Sequence, residues 1–532
     1  MTEFYRNYTN ELYLGVLMRG HMNKKIFSMI LCIIITTLLS QCKKTTNAEI
    51  IYTISIDVVT LDPAYANDIE SSKVLCNIYE GLTKYKDYST EIIPCLAKSW
   101  EISSDGLEYI FKLRDDVYFH DGSKFNAQAV KYSIERQTID GTDAMEYRNF
   151  TFGMIDKIEI IDEFQIKISL KYKYTPFLAN LAMPIASQIV SPDAAKKYGK
   201  AFSENPSGTG PFRLTKWEKD KELIIIRNDN YWGESAIIHK VTYKIEKDPK
   251  KRITDLLEKK TDIIDSLSAE ESDLLLKNGL KIFKSKGMNV SCISFNCSKP
   301  PFNNRAAREA VIMSIDRKSL INRLYGDYAD LANSPLPDFM PGYNPDSQPK
   351  EYNPQKASQL IKETGLDKIT LELYAVPGAK PYNPAGGEFL GKEITSILEN
   401  NGIKVNFSVL NRVQVSDKYK NNSWDFRIYG WIGDNGDPDN FLFLFETSEI
   451  KSNLNTARYS NPIVDAKLAL ARSLPNGEER YNLYKEIQKI LSEDSPWLPI
   501  SHGTDKAALY PEIKNLSIHP IGIVFFQKVR KE

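Results

Sequence analysis

The sequence predicts a large α/β protein built as two lobes, and two observations carry that prediction. The chain has 532 residues, 42% of them hydrophobic, enough to build two cores rather than one. Between residues 290 and 500, strand-like runs at 369–374, 404–410 and 425–429 alternate with helical patterns at 353–365, 389–400 and 481–491. Such alternation is the signature of helices packed on a sheet.

Each element has a local reason. Residues 50–59 alternate as a strand until Leu61-Asp62-Pro63 breaks the pattern, and 71–79 form a short helix before Gly81. Ser104-Asp105-Gly106 separates two strand-like runs between 101 and 114, a hairpin by its turn residues. Asn126 is an N-cap for a helix over 127–137. Two strands flank Asp162-Glu163, and 223–226 and 241–245 continue the β region. Residues 290–296 form a strand, followed by one long helix over 305–325 whose Ala307, Val311, Ile315, Leu320 and Leu324 make an apolar stripe. Asn353-Pro354 starts a helix that Gly365 ends. Repeats and low-complexity segments are absent.

Lysine plus arginine equals aspartate plus glutamate at 69 each, so no basic field draws nucleic acid. The five histidines (His21, His120, His239, His502, His519) lack metal-ligand spacing, and no P-loop, dinucleotide or G-x-S-x-G fingerprint occurs. Neither a resident metal nor a cofactor is expected. Asn23-Lys24-Lys25, the apolar run 26–39 and Ser40-Gln41-Cys42 read as an export signal ending in a cysteine that would be lipidated, with translation starting at Met22. Cys76, Cys95, Cys292 and Cys297 remain after that cysteine. Export permits disulfides, but the spacing leaves their pairing open. Cys292 and Cys297 lie five apart on a strand-like run, point to opposite faces, and are not expected to pair.

The most informative stretch is 430–440, Gly-Trp-Ile-Gly-Asp-Asn-Gly-Asp-Pro-Asp-Asn. Gly433 and Gly436 permit unusual backbone angles, and Pro438 stiffens the chain. The expectation is an irregular loop at a strand end that presents Asp434, Asp437 and Asp439. A calcium loop is excluded, because Gly436 and Pro438 fall where ligands are needed.

Gly430-Trp431 with Asp434, then Asp437-Pro438-Asp439 and Phe441, resembles the dipeptide- and oligopeptide-binding proteins of ABC importers, solute-binding family 5. The resemblance extends over Leu61-Asp62-Pro63, Tyr79-Glu80-Gly81-Leu82, Ser99-Trp100, Phe119-His120-Asp121-Gly122, Gly210-Pro211-Phe212, Tyr231-Trp232, Phe295-Asn296 and Ile315-Asp316-Arg317. It departs at Thr261-Asp262, where the family carries a glycine.

The resemblance implies a periplasmic-binding-protein-like fold (type II, cluster C) with mixed sheets and a hinge. Lobe I would span 43–289, with an extra subdomain about 68–200. Lobe II would span 290–504, and 505–532 would return to lobe I. It implies capture of di- or oligopeptides by an extracytoplasmic, lipid-anchored monomer that serves an ABC permease and its ATPase. The carboxylate of Asp434 would take the ligand's α-ammonium. Lys380, ahead of Pro-Tyr-Asn-Pro where dipeptide binders carry arginine, would cap its carboxylate as a point charge without the bidentate fork. Tyr382 and Trp431 would wall side-chain pockets beside Gly430 and Gly433. A haem or nickel-chelate binder is the alternative within this architecture. A glycoside hydrolase using Asp434 and Asp437 and an adhesive surface lipoprotein are the alternatives outside it. For His120, a turn packed against the lobe outweighs catalysis, because no nucleophile accompanies it.

Overall fold

The computed structural model describes residues 48–532, which form one compact unit. The signal region, Met22 and Cys42 lie outside the described residues. A sheet of twelve strands runs through both lobes. Its order is Lys404–Val409, Thr370–Ala375, Phe426–Ile432, Asn289–Phe295, Trp497–Leu509, Ile263–Asp265, Glu49–Ile54, Lys240–Ile245, Glu222–Arg227 and Phe212–Glu218. Lys281–Lys286 and Ala329–Leu331 also pair with Trp497–Leu509.

Trp497–Leu509 is the element that joins the two halves. Its first residues pair antiparallel with Asn289–Phe295, and its last with Lys281–Lys286 and Ile263–Asp265. Where the two crossing strands meet, Gly503 N donates to Asn289 Oδ1 (2.7 Å) and Asn289 Nδ2 donates to Gly503 O (3.1 Å). Gly503 is required there: a Cβ would stand 2.0 Å from the Pro381 carbonyl oxygen.

The apolar cores follow the same division. One, with Tyr52, Ile54, Phe212, Ile225 and Tyr243, lies on the sheet around Glu49–Ile54. Another, with Ile293, Phe302, Val311, Leu373, Ile394 and Phe426, lies on the sheet around Thr370–Ala375. A separate four-stranded sheet (Ala97–Ile102, Glu108–Leu113, Gln165–Leu170, Ile155–Asp162) packs its own core with the helix Ala127–Thr138. The Ser104-Asp105-Gly106 turn and the Asn126 cap hold as expected, Gly106 at φ +71° and Asn126 accepting from Ala129 N. A further core joins the helices Pro462–Ser473 and Glu478–Asp494 to Cys76, Tyr85, Ala182 and Ile521.

Two expectations need correction. The expected helix over 305–325 is two helices, Arg305–Met313 and Arg317–Leu324. Asp316 takes extended backbone angles and its side chain accepts from Ser319 N, so the apolar stripe crosses a new N-cap. The strand expected over 50–59 ends at Ile54, beyond which Asp57 binds its own neighbour's amide and the Trp217 indole. Cys76, Cys95, Cys292 and Cys297 are all free thiols. His120 is held between Gly208 and Gly210, its Nε2 3.0 Å from Gly210 O, and burial pushes its pKa down to about 4.

Candidate binding cleft

The strand Phe426–Ile432 delivers the acidic loop. Alternation along it sends Phe426 and Ile428 into the core and leaves Tyr429 and Trp431 on the other face. Gly430 is bare for a reason: a Cβ there would stand 2.1 Å from the Tyr382 ring, which lies across it. Gly433 is similarly hemmed by Phe441 and Met288, and Gly433 N donates to Met288 O (2.7 Å). Trp431 packs edge-on against Phe443 and donates its indole N–H to Asn440 Oδ1 (3.2 Å). Asn440 Oδ1 also receives Asp434 N (2.9 Å), which fixes the loop's first turn.

The three carboxylates meet different fates, and this corrects the expectation that all are presented. Asp437 is buried and receives a bidentate pair from Arg480, at 2.8 and 2.7 Å. Arg480 Nε in turn donates to Ala471 O. Asp439 is buried and receives Arg472 Nε at 2.8 Å. Two buried acids are thereby neutralised by two arginines of the following helices. Asp434 alone has no cation at salt-bridge distance among the described residues.

Asp434 Oδ1 instead accepts from the Tyr147 hydroxyl at 2.7 Å, on a segment far upstream. Burial pushes the Asp434 carboxyl up to about 6, against the pull of the Tyr147 and Asn440 side chains. The seam around it is stitched by further contacts. Asn435 Nδ2 donates to Asn180 Oδ1 (2.6 Å), and Thr175 N donates to Arg472 O (2.8 Å). Neither Tyr147 nor Asn440 was singled out by sequence reasoning. Tyr147 carries no motif signal, whereas Asn440 stood inside the stretch already flagged.

Lys380 and Asn383 close a tight turn through reciprocal backbone bonds, at 3.0 and 2.8 Å. The Tyr325 hydroxyl donates to buried Asn383 Oδ1 at 2.5 Å, which anchors the turn. Lys380 itself is exposed and lines an interlobe cavity of about 390 Å³. That cavity is also walled by Ile432, Tyr52, Lys73, Asp265 and Asp505. Its volume falls in the range of small-ligand sites, about 300–1,000 Å³. Of the residues expected to bind, the structure brings Lys380 to this cavity. Asp434, Tyr382, Trp431, Gly430 and Gly433 lie on or beside the strand that borders it, outside its lining. Asp505 is a cleft residue that sequence reasoning missed, for it sits in no motif.

The family described as "Bacterial extracellular solute-binding proteins, family 5 Middle" matches residues 91–453. "Heme-binding protein A" of Haemophilus influenzae is 31% identical over 521 residues, 93% of this chain and 94% of that protein. "Di/tripeptide-binding protein 2" of Pseudomonas aeruginosa is 32% identical over 481 residues, 85% of this chain and 89% of that one. Among solved structures, the periplasmic binding protein DppA from Helicobacter pylori, in complex with peptide STSA, superposes with a TM-score of 0.76 at 29% identity. That match covers 91% of this chain and 98% of the other. The chain belongs to the bacterial extracellular solute-binding proteins of family 5, the substrate-binding components of ABC importers.

Proposed function

We propose that the protein captures short peptides between its two lobes and hands them to an ABC permease, with Asp434 as acceptor of the α-ammonium and Lys380 as partner of the carboxylate. The observation that carries this reading is the isolation of Asp434. A half-buried carboxylate among two arginine-paired neighbours, offered neutral donors and no cation, is an electrostatic vacancy for one cation. A peptide's ammonium fills it, and Tyr147 would hold the filled carboxylate in line. Lys380 supplies the opposite charge on the same lobe. The peptide backbone can be held by strand-like hydrogen bonds that do not read sequence. Trp431 and Tyr382, with Gly430 and Gly433 beneath, would shape the wall between the two charges.

The two relatives named above divide between haem and peptides. The cavity's lining favours peptide: it carries charged groups of both signs and no histidine, cysteine or methionine to face an iron, and its one tyrosine, Tyr52, has its hydroxyl engaged on Asp265. Asp437 is committed to Arg480, which removes the second carboxylate that glycoside hydrolysis would need. We place the mature protein outside the cytoplasm, tethered through lipid on Cys42 and working as a monomer. Among the described residues no helix is long and apolar enough to cross a membrane.

The test is calorimetric titration with a dipeptide, its N-acetyl form and its C-terminal amide. Binding lost on acetylation and weakened on amidation supports both roles. Binding indifferent to acetylation removes Asp434 from the site.

A further inference from the structure

The lobe I wall of the cleft cavity holds a second carboxylate without a paired cation. Lys73 Nζ donates to Glu70 Oε1 (2.9 Å) and Asp265 Oδ2 (2.5 Å), and the Tyr52 hydroxyl also donates to Asp265. One ammonium thus serves two buried acids. Asp505, on the crossing strand Trp497–Leu509, lines the same cavity and is served by none of them. Among the described residues its side chain accepts no hydrogen bond and has no cation at salt-bridge distance. Burial pushes its carboxyl up to about 7, with Lys73 and Lys506 pulling down and Asp265 pushing up.

The cavity's other cations are turned elsewhere. Lys506 Nζ sits 3.1 Å over the Tyr328 ring, and Arg252 Nη1 donates to Glu246 O (3.2 Å). Gly522, whose φ of +83° favours glycine, lies beside Asp505: a Cβ there would stand in van der Waals contact, 3.8 Å from Asp505 Oδ2. Glu70, Asp265, Glu271 and Asp505 against Lys73, Arg252 and Lys506 leave this wall with one acid in excess of its cations, and Lys380 lines the same cavity. A half-buried carboxylate without a counter-charge selects for positive charge, because a neutral or anionic group leaves it partly desolvated with no cation.

We propose that this wall is a specificity subsite for a basic side chain of the bound peptide, with Asp505 as its acceptor. The inference rests on the peptide reading above and adds the preference within it: peptides carrying lysine or arginine over neutral and acidic ones. The basic side chain reaches Asp505 while the α-ammonium occupies Asp434, so the two carboxylates read different groups of one ligand.

The experiment is calorimetry on the full chain with Ala-Ala, Ala-Lys, Lys-Ala and Ala-Glu, repeated on Asp505→Asn and Asp505→Glu. The readout is the affinity ratio of the better basic dipeptide to Ala-Ala within each protein. The parent is expected to show a ratio of about tenfold or more, the size of one desolvated charge pair. Asp505→Asn brings the ratio to about one, and Asp505→Glu keeps the preference for the basic ligand. Equal affinities in the parent, or a ratio that survives in Asp505→Asn, overturn the subsite and leave the peptide reading standing. Failure of all four dipeptides to bind overturns both.

Discussion

The Tyr147 hydroxyl donates to Asp434 Oδ1 at 2.7 Å, and the phenol is the carboxylate's only side-chain donor from the upstream half of the described chain. The bond ties the four-stranded subdomain's neighbourhood to the acidic loop across the seam. It satisfies the acid's hydrogen-bonding capacity in part and its charge not at all. Asp434→Asn keeps the shape and removes the charge. Peptide affinity is expected to fall by about 2–5 kcal/mol, because the ligand's ammonium would be buried without an anion. Calorimetry on the variant checks this, and parent-like affinity would exclude Asp434 as the acceptor.

The raised pKa of Asp434 sets a pH dependence. Only the carboxylate pairs with an ammonium, and the unliganded group titrates at about 6. Affinity for a neutral-side-chain dipeptide should be flat above that value and fall by up to about tenfold per pH unit below it. The stability of the unliganded protein moves the other way. A carboxyl whose folded pKa is raised contributes stability below its ordinary pKa and loses it as pH rises through about 6. Titrations from pH 5 to 8 would show the affinity change; a flat profile contradicts an ammonium acceptor that titrates at about 6.

Arg480 and Asp437 form a fully enclosed bidentate pair that fixes the loop without touching the cleft cavity. Arg480→Met leaves Asp437 buried without a cation. Unfolding in urea should show a loss of about 3–5 kcal/mol. Affinity should also suffer, through a displaced Asp434. Stability within error of the parent would mean that the pair does not hold the loop.

Gly430 and Tyr382 are fitted to one another. Gly430→Ala forces the ring off the strand, at a cost of about 1–3 kcal/mol for overpacking. Adding Tyr382→Ala should recover part of that cost, because the obstructing ring is gone. A double-mutant cycle on stability measures the coupling, and strict additivity would refute the contact.

The fold was legible where local signals and long-range packing agree. The cap pair Asn353-Pro354, the glycine at Gly365 and the crossing strand at 289–295 appear where their residues point. The helix Pro462–Ser473 carries the same Asn-Pro start and could have been read from it. The break at Asp316 was masked because apolar periodicity continues across it. At the site, Asp434 stood out through its motif. The fate of Asp437 and Asp439 did not, because Arg480 and Arg472 lie more than thirty residues away and only packing brings them in. Asp505 and Tyr147 matter by position alone, which no spacing rule records.

The central claim is that Asp434 takes the ligand's α-ammonium, and a crystal structure of the complex with a simple dipeptide tests it most directly. The account predicts the ammonium within hydrogen-bond distance of an Asp434 carboxylate oxygen and the terminal carboxylate facing Lys380. An ammonium seated on Asp505, with Asp434 bonded only to Tyr147, would contradict it.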